Sequence, residues 1–89
     1  MATFDLPLIG REDYDAFRRI LRDQMADSYD DWFHLHSQDV AEKRAQGHVA
    51  NLVALKPDEL ARFLQARGAA ATLDSLMKLA AEKAAGKRY

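Results

Sequence analysis

The chain has 89 residues, of which 48% are hydrophobic and 30% are charged, and its formal net charge is −1. A chain of this length forms one small domain and buries only about 60–65% of its unfolded surface, so we expect modest stability for an isolated copy. The lack of cysteine excludes disulfides, thiolate metal sites and cysteine nucleophiles. A net charge near zero argues against a dedicated nucleic-acid-binding protein.

The charge is unevenly distributed along the chain. Residues 1–55 carry six basic and ten acidic side chains, a net of −4, and residues 56–89 carry seven basic and four acidic ones, a net of +3. The N-terminus lacks the basic and apolar stretches of a signal peptide, and no segment approaches the ~20 apolar residues of a membrane span. We therefore expect a cytoplasmic protein that does not associate with membranes.

The first ten residues predict an extended arm. Residues 3–9, TFDLPLI, begin by alternating apolar and other side chains, which is typical of a strand. Pro7 has no backbone N–H, so we expect an edge strand instead of a central one. The arm is too apolar for a free tail, and we expect it to pack onto the rest of the chain.

A long helix is predicted for residues 11–46. Apolar or aromatic residues recur there at steps of three and four, which places them on one face of a helix. They are Tyr14, Phe17, Leu21, Met25, Tyr29, Trp32, His36 and Val40. The segment contains no glycine or proline, and it ends in Lys43 and Arg44 followed by Gly47, which is typical of a helix C-terminus.

A break in this helix is the alternative. Ser28 followed by Asp31 can cap a new helix, and Tyr14–Phe17 (YDAF) and Tyr29–Trp32 (YDDW) echo each other as two helix starts do. Against a break, no glycine or proline marks the end of a first helix. We favour one helix, either continuous or kinked near residues 26–28.

The C-terminal part predicts an extended segment and two further helices. Residues 48–56 fit a strand or a helix, but Gly47 and Pro57 bracket a run of strand length, so we favour a strand. Pro57 is also a typical first helical residue, and the turn signals that follow predict helices over 57–67 and 72–85.

Together these segments predict a mainly α fold in a single small domain. Its parts are an extended arm (1–10), a long N-terminal helix (11–46), a short strand near 49–55 and a two-helix hairpin (57–67 and 72–85). A helix of about 35 residues would be ~50 Å long at 1.5 Å per residue, and this chain cannot cover such a rod. The uncovered part would be an apolar patch, which typically marks an association site.

The aromatic face of the long helix is therefore our main candidate for a functional site. Its members are Tyr14, Phe17, Tyr29, Trp32, Phe33 and His36. Tyrosine and tryptophan are enriched where proteins bind each other, although the same residues would also serve a core. We predict a non-enzymatic protein-interaction or regulatory subunit that binds a protein partner or forms a homodimer.

Asp31 and His34 are the candidates for metal chemistry. They are three residues apart and share a helix face, as carboxylate–histidine ligand pairs do in helical bundles, and Asp27 lies one turn earlier. A surface Asp–His pair is much the more common reason for this spacing, so we predict no bound metal or cofactor. No serine lies in a glycine elbow and the chain has no glycine-rich phosphate loop, so we predict no enzymatic activity.

The basic C-terminal third provides the second functional hypothesis, a nucleic-acid-associated regulator. The candidate contacts are Arg62, Arg67, Lys78, Lys83, Lys87 and Arg88. The two predicted C-terminal helices superficially fit a helix-turn-helix, but the second one presents Asp74 and Glu82 beside Lys78, whereas recognition helices typically carry arginine, asparagine or glutamine. We favour a packed helix pair.

Overall fold

The computed structural model of the protein describes residues 2–89. They form β1 (Thr3–Ile9), α1 (Tyr14–Leu21), α2 (Tyr29–Ala45), β2 (Val49–Leu55), α3 (Pro57–Arg67) and α4 (Leu73–Ala84). Short 3-10 turns precede and follow α1. In this described range, no helix combines the length and the apolar character needed to cross a membrane.

The two strands pair in parallel, with Thr3 opposite Val49 and Ile9 opposite Leu55. Parallel strands need a long crossover connection, and α1 and α2 supply it here. The Asn51 amide donates to the Asp5 carboxylate across the sheet at 2.9 Å.

The predicted long helix over residues 11–46 is wrong, because the chain leaves the helix after Leu21. Arg22 adopts φ 51° and ψ −121°, and Met25 is extended at φ −110° and ψ 151°. Ser28 then caps α2, its Oγ accepting the Asp31 N–H at 3.1 Å. The break folds α1 back against the body of the protein, which buries Tyr14, Phe17 and Leu21 instead of spreading them along an uncovered rod.

The predicted C-terminal hairpin is also wrong as a description of the packing. α4 packs mainly on β1 and β2, and α3 divides its contacts between α1 and α4. The reason is that a two-stranded sheet needs an apolar layer across its face to be stable. Leu76, Leu79 and Ala80 of α4 supply part of that layer and are almost completely buried.

The core joins one face of the sheet to α1, α3 and α4. Its members are Ile9, Tyr14, Phe17, Leu21, Met25, Val53, Leu55, Leu60, Phe63, Leu76, Leu79 and Ala80. The Tyr14 hydroxyl donates to the Ala26 carbonyl at 2.5 Å, which ties α1 to the turn before α2. Burial raises the pKa of Tyr14, so this hydroxyl keeps the proton that it donates.

Candidate protein-binding surface

α2 is the longest helix and the least covered one. Of its 17 residues, Val40 is the one that the rest of the described chain buries. Apolar side chains lie on both of its flanks, where Phe33 is 45% exposed and Leu35 is 60% exposed. A helix that packs against a core typically confines its apolar residues to one stripe, so α2 carries more apolar surface than this chain covers.

His36 lies between the two flanks of α2. Its imidazole stacks on the Trp32 indole, with ring centroids 4.8 Å apart and planes 16° apart. Trp32 in turn contacts Tyr14 and Tyr29 at centroid distances of 6.2 and 5.7 Å. This chain of aromatic rings fixes the N-terminal half of α2 to α1.

One flank of α2 faces α4 across a groove of about 310 Å³, which we name the α2–α4 groove. Its floor is formed by residues of β1 and of the turn before α2, and its walls by the two helices. The lining includes Leu6, Pro7, Met25, Trp32, Leu35, His36, Asp39, Leu73, Leu76 and Met77. Leu73 and Met77 are 41% and 40% exposed, so the α4 wall is also apolar and accessible.

The other flank of α2 faces the sheet across a smaller groove of about 240 Å³, named here the α2–β2 groove. It is lined by Leu8, Phe33, His36, Ser37, Val40, Ala41, Arg44 and Leu52. Leu52 of β2 is 40% exposed. Ser37 and Ala41 have small side chains, lie one turn apart on α2 and are both exposed.

The structure divides the six aromatic and histidine residues that we predicted as an interface. Tyr14 and Phe17 belong to the core, with exposures of 2% and 0%. Tyr29, Trp32 and His36 are half-buried, and Phe33 is exposed. The surface part of the set is therefore confined to the first two turns of α2.

Sequence reasoning missed the aliphatic members of this surface. They are Leu35, Leu52, Leu73 and Met77. Leu35 follows Phe33 by two residues and cannot share its helix face, which is the one signal that α2 is apolar on two sides. Leu73 and Met77 are four apart on α4 and are about 40% exposed, whereas Leu76 and Leu79 of the same helix are buried, a distinction that periodicity alone does not make.

The metal candidates do not converge. Asp27 accepts a hydrogen bond from Arg18 at 3.1 Å, and the Asp31 backbone N–H is used by the Ser28 cap. Within residues 2–89, no three histidine, aspartate or glutamate side chains lie close enough together to hold a metal ion.

Most of the basic residues that we predicted as nucleic-acid contacts have acidic partners. The ion pairs are Arg62–Asp58, Arg67–Glu82, Lys78–Asp74, Lys83–Glu59 and Lys87–Glu82. Glu82 also accepts the Tyr89 hydroxyl at 2.5 Å, and this bond, with the Arg67 charge, holds the pKa of Glu82 below its usual range. These partners are the four acidic residues of 56–89, so the region keeps its net charge of +3, but five of the six candidate contacts are already engaged in ion pairs.

Comparisons of the chain with protein-family models, curated proteins and solved structures find no match. What the chain offers toward a function is therefore its own surface: two apolar grooves on either side of α2.

Proposed function

We propose that this protein is a non-enzymatic protein-interaction subunit whose partner places an apolar segment in the α2–α4 groove. The single observation that carries the proposal is the exposure of apolar side chains on both walls of this groove, Leu35 on α2 and Leu73 and Met77 on α4. Contiguous exposed apolar surface rimmed by polar residues typically marks a protein-binding site.

The groove also has the polar features of such a site. Asp39 lies at its rim, where it forms an ion pair with Lys43 at 3.4 Å. His36 Nε2 is buried without a hydrogen-bond partner among the described residues, so a partner that donates to or accepts from this atom would satisfy it. Apolar walls with a few polar groups are typical of sites that fix the orientation of what they bind.

The experiment compares proteins that co-purify with the wild-type chain and with single variants from its own cells. Leu35→Lys and Met77→Lys place a charge on opposite walls of the groove, and each should abolish recovery of the partner that the wild type retains. Ala61→Lys, at an exposed position of α3, is the matched control and should recover it normally. Equal recovery with all three variants would contradict the proposal.

Binding to the purified partner then provides a direct measurement. Trp32 is the only tryptophan in the chain and lines the groove. Its fluorescence should shift when the partner fills the groove of the wild type. A hot-spot residue contributes about 2 kcal/mol or more to an interface, and Leu35→Lys also places a charge on an apolar wall, so it should raise the dissociation constant by roughly thirtyfold.

A further inference from the structure

The outer edge of β2 has unpaired backbone groups. In a parallel ladder the residues that bond to the neighbouring strand alternate with residues that face away. The Val49 N–H donates to the Ala2 carbonyl at 2.9 Å, so the odd-numbered residues of β2 bond to β1 and the even-numbered ones face away from it. Ala50, Leu52 and Ala54 therefore direct their N–H and C=O groups away from β1.

The two edges of the sheet differ in how they are protected. On β1 the outward position 7 is a proline, which has no N–H to offer, and the neighbouring groove wall is formed by α4. Proline, lysine and bulges are the features by which proteins block an edge strand. The β2 sequence Val49–Leu55, VANLVAL, contains no proline and no charged residue. Among the described residues, Lys83 is the one whose side chain hydrogen-bonds to the outer edge of β2, where its Nζ donates to the Ala54 carbonyl at 2.7 Å.

We infer that two copies of this chain dimerise by antiparallel pairing of their β2 edges about a two-fold axis at Leu52. The outward residues are symmetric about that point, so Ala50 of one copy faces Ala54 of the other and the two Leu52 residues face each other. The carbonyl of Ala54 has a second lone pair and can accept from the partner while it keeps Lys83. The result is a four-stranded sheet.

The position of α2 fits this dimer. α2 packs on the face of the sheet that carries Leu8 and Leu52, and it contacts the sheet mainly through β2. A two-fold axis perpendicular to the sheet places the two copies of α2 on the same face, one on each side of the axis.

The side chains on this flank of α2 are complementary to themselves. Ser37 and Ala41 are small and allow close approach of the two helices. Asp30 of the first turn and Arg44 of the last turn of α2 lie on the same flank as Ser37, and Asp30 also pairs with Arg11 at 2.8 Å. Because the two-fold axis makes the helices antiparallel, Asp30 of one copy lies beside Arg44 of the other, and the helix dipoles oppose each other favourably. A net charge of −1 per chain leaves little overall repulsion.

Light scattering tests the dimer. The wild type should have about twice the 10.1 kDa mass of one chain. Leu52→Lys should be monomeric, because two ammonium groups would meet across the axis, while the aliphatic part of each lysine still packs on α2. We expect at least a tenfold rise in the dimer dissociation constant. The control Leu35→Lys lies on the other flank of α2 and should remain dimeric; this variant fails only in the proposed partner binding, so the two proposals are distinguishable.

Hydrogen exchange locates the contact at the strand edge. In the wild type the Ala50 and Leu52 amides should be protected at high protein concentration and exchange rapidly on dilution, whereas the Asn51 amide, which bonds to β1, should be protected throughout. This comparison of amide protection uses only the wild type, so it tests the dimer even if the Leu52→Lys variant does not fold. A monomeric wild type, a dimer that persists in folded Leu52→Lys, or a dimer whose Ala50 amide is unprotected would each overturn the inference.

Discussion

The imidazole of His36 stacks on the indole of Trp32 with their centroids 4.8 Å apart, and its Nε2 is shielded from water. That atom has no hydrogen-bond partner within residues 2–89. Burial lowers the pKa of His36 below its ordinary 6.5, and the Asp39 carboxylate acts in the opposite direction. The folded state therefore holds this histidine neutral.

The stability of the protein should consequently depend on pH through His36. The unfolded chain binds a proton at His36 more readily than the folded protein does. The stability that depends on a neutral His36 is therefore complete above about pH 6.5 and is lost as the pH falls toward the lower pKa that His36 has in the folded protein. Urea unfolding between about pH 8 and about pH 5 should show a steeper fall for the wild type than for His36→Gln. Gln38→Ala, at an exposed position of α2, is the control and should keep the wild-type slope.

The backbone at Arg22 predicts a stabilising substitution. Its φ of 51° and ψ of −121° lie in a region that glycine adopts without strain and other residues avoid. Arg22→Gly should raise the free energy of unfolding by about 1 kcal/mol. Arg19→Gly makes the same chemical change inside α1 and should lower it by about 1 kcal/mol. Equal signs for the two variants in urea unfolding would show that Arg22 is not strained.

The Ser28 cap should contribute measurably to α2. Its Oγ accepts the Asp31 N–H, and loss of such a cap typically costs about 1 kcal/mol. Ser28→Ala should lower the free energy of unfolding by that amount, while Ser28→Asp, which retains an acceptor, should leave it nearly unchanged. Thermal or urea unfolding measures the difference, and an alanine variant as stable as the aspartate variant would contradict the role of the cap.

Several local features of the fold are visible in the sequence. Ser28 has the spacing of an N-cap, Pro57 occupies the first position of α3, and Gly68 adopts the left-handed conformation at the α3 C-terminus. In each case the conformation depends on the residue itself and its neighbours within four positions. These signals mark the ends of helices. Ser28 marks the start of α2, which corresponds to the alternative in which the long helix is broken.

The end of α1 has no such local signal. Arg22 takes a conformation that arginine avoids, and it does so because the turn lets Tyr14 and Phe17 enter the core. The pairing of β1 with β2 joins residues 46 positions apart, which propensity and periodicity do not report. The candidate surface depends on both features, since Leu35, Leu52 and Met77 become neighbours of the grooves only after the chain folds back.

Trp32 and Phe33 should respond differently to truncation, although both are aromatic and adjacent on α2. Trp32 is half-buried and packs against the core residue Tyr14, whereas Phe33 is 45% exposed. Trp32→Ala should lower the free energy of unfolding by about 2–3 kcal/mol, somewhat less than for a fully buried aromatic. Phe33→Ala should cost less than about 1 kcal/mol. Urea unfolding at neutral pH, followed by circular dichroism because one variant lacks the tryptophan, measures both. Equal losses would mean that Phe33 is also a structural residue and that the exposed surface of α2 is smaller than its geometry indicates.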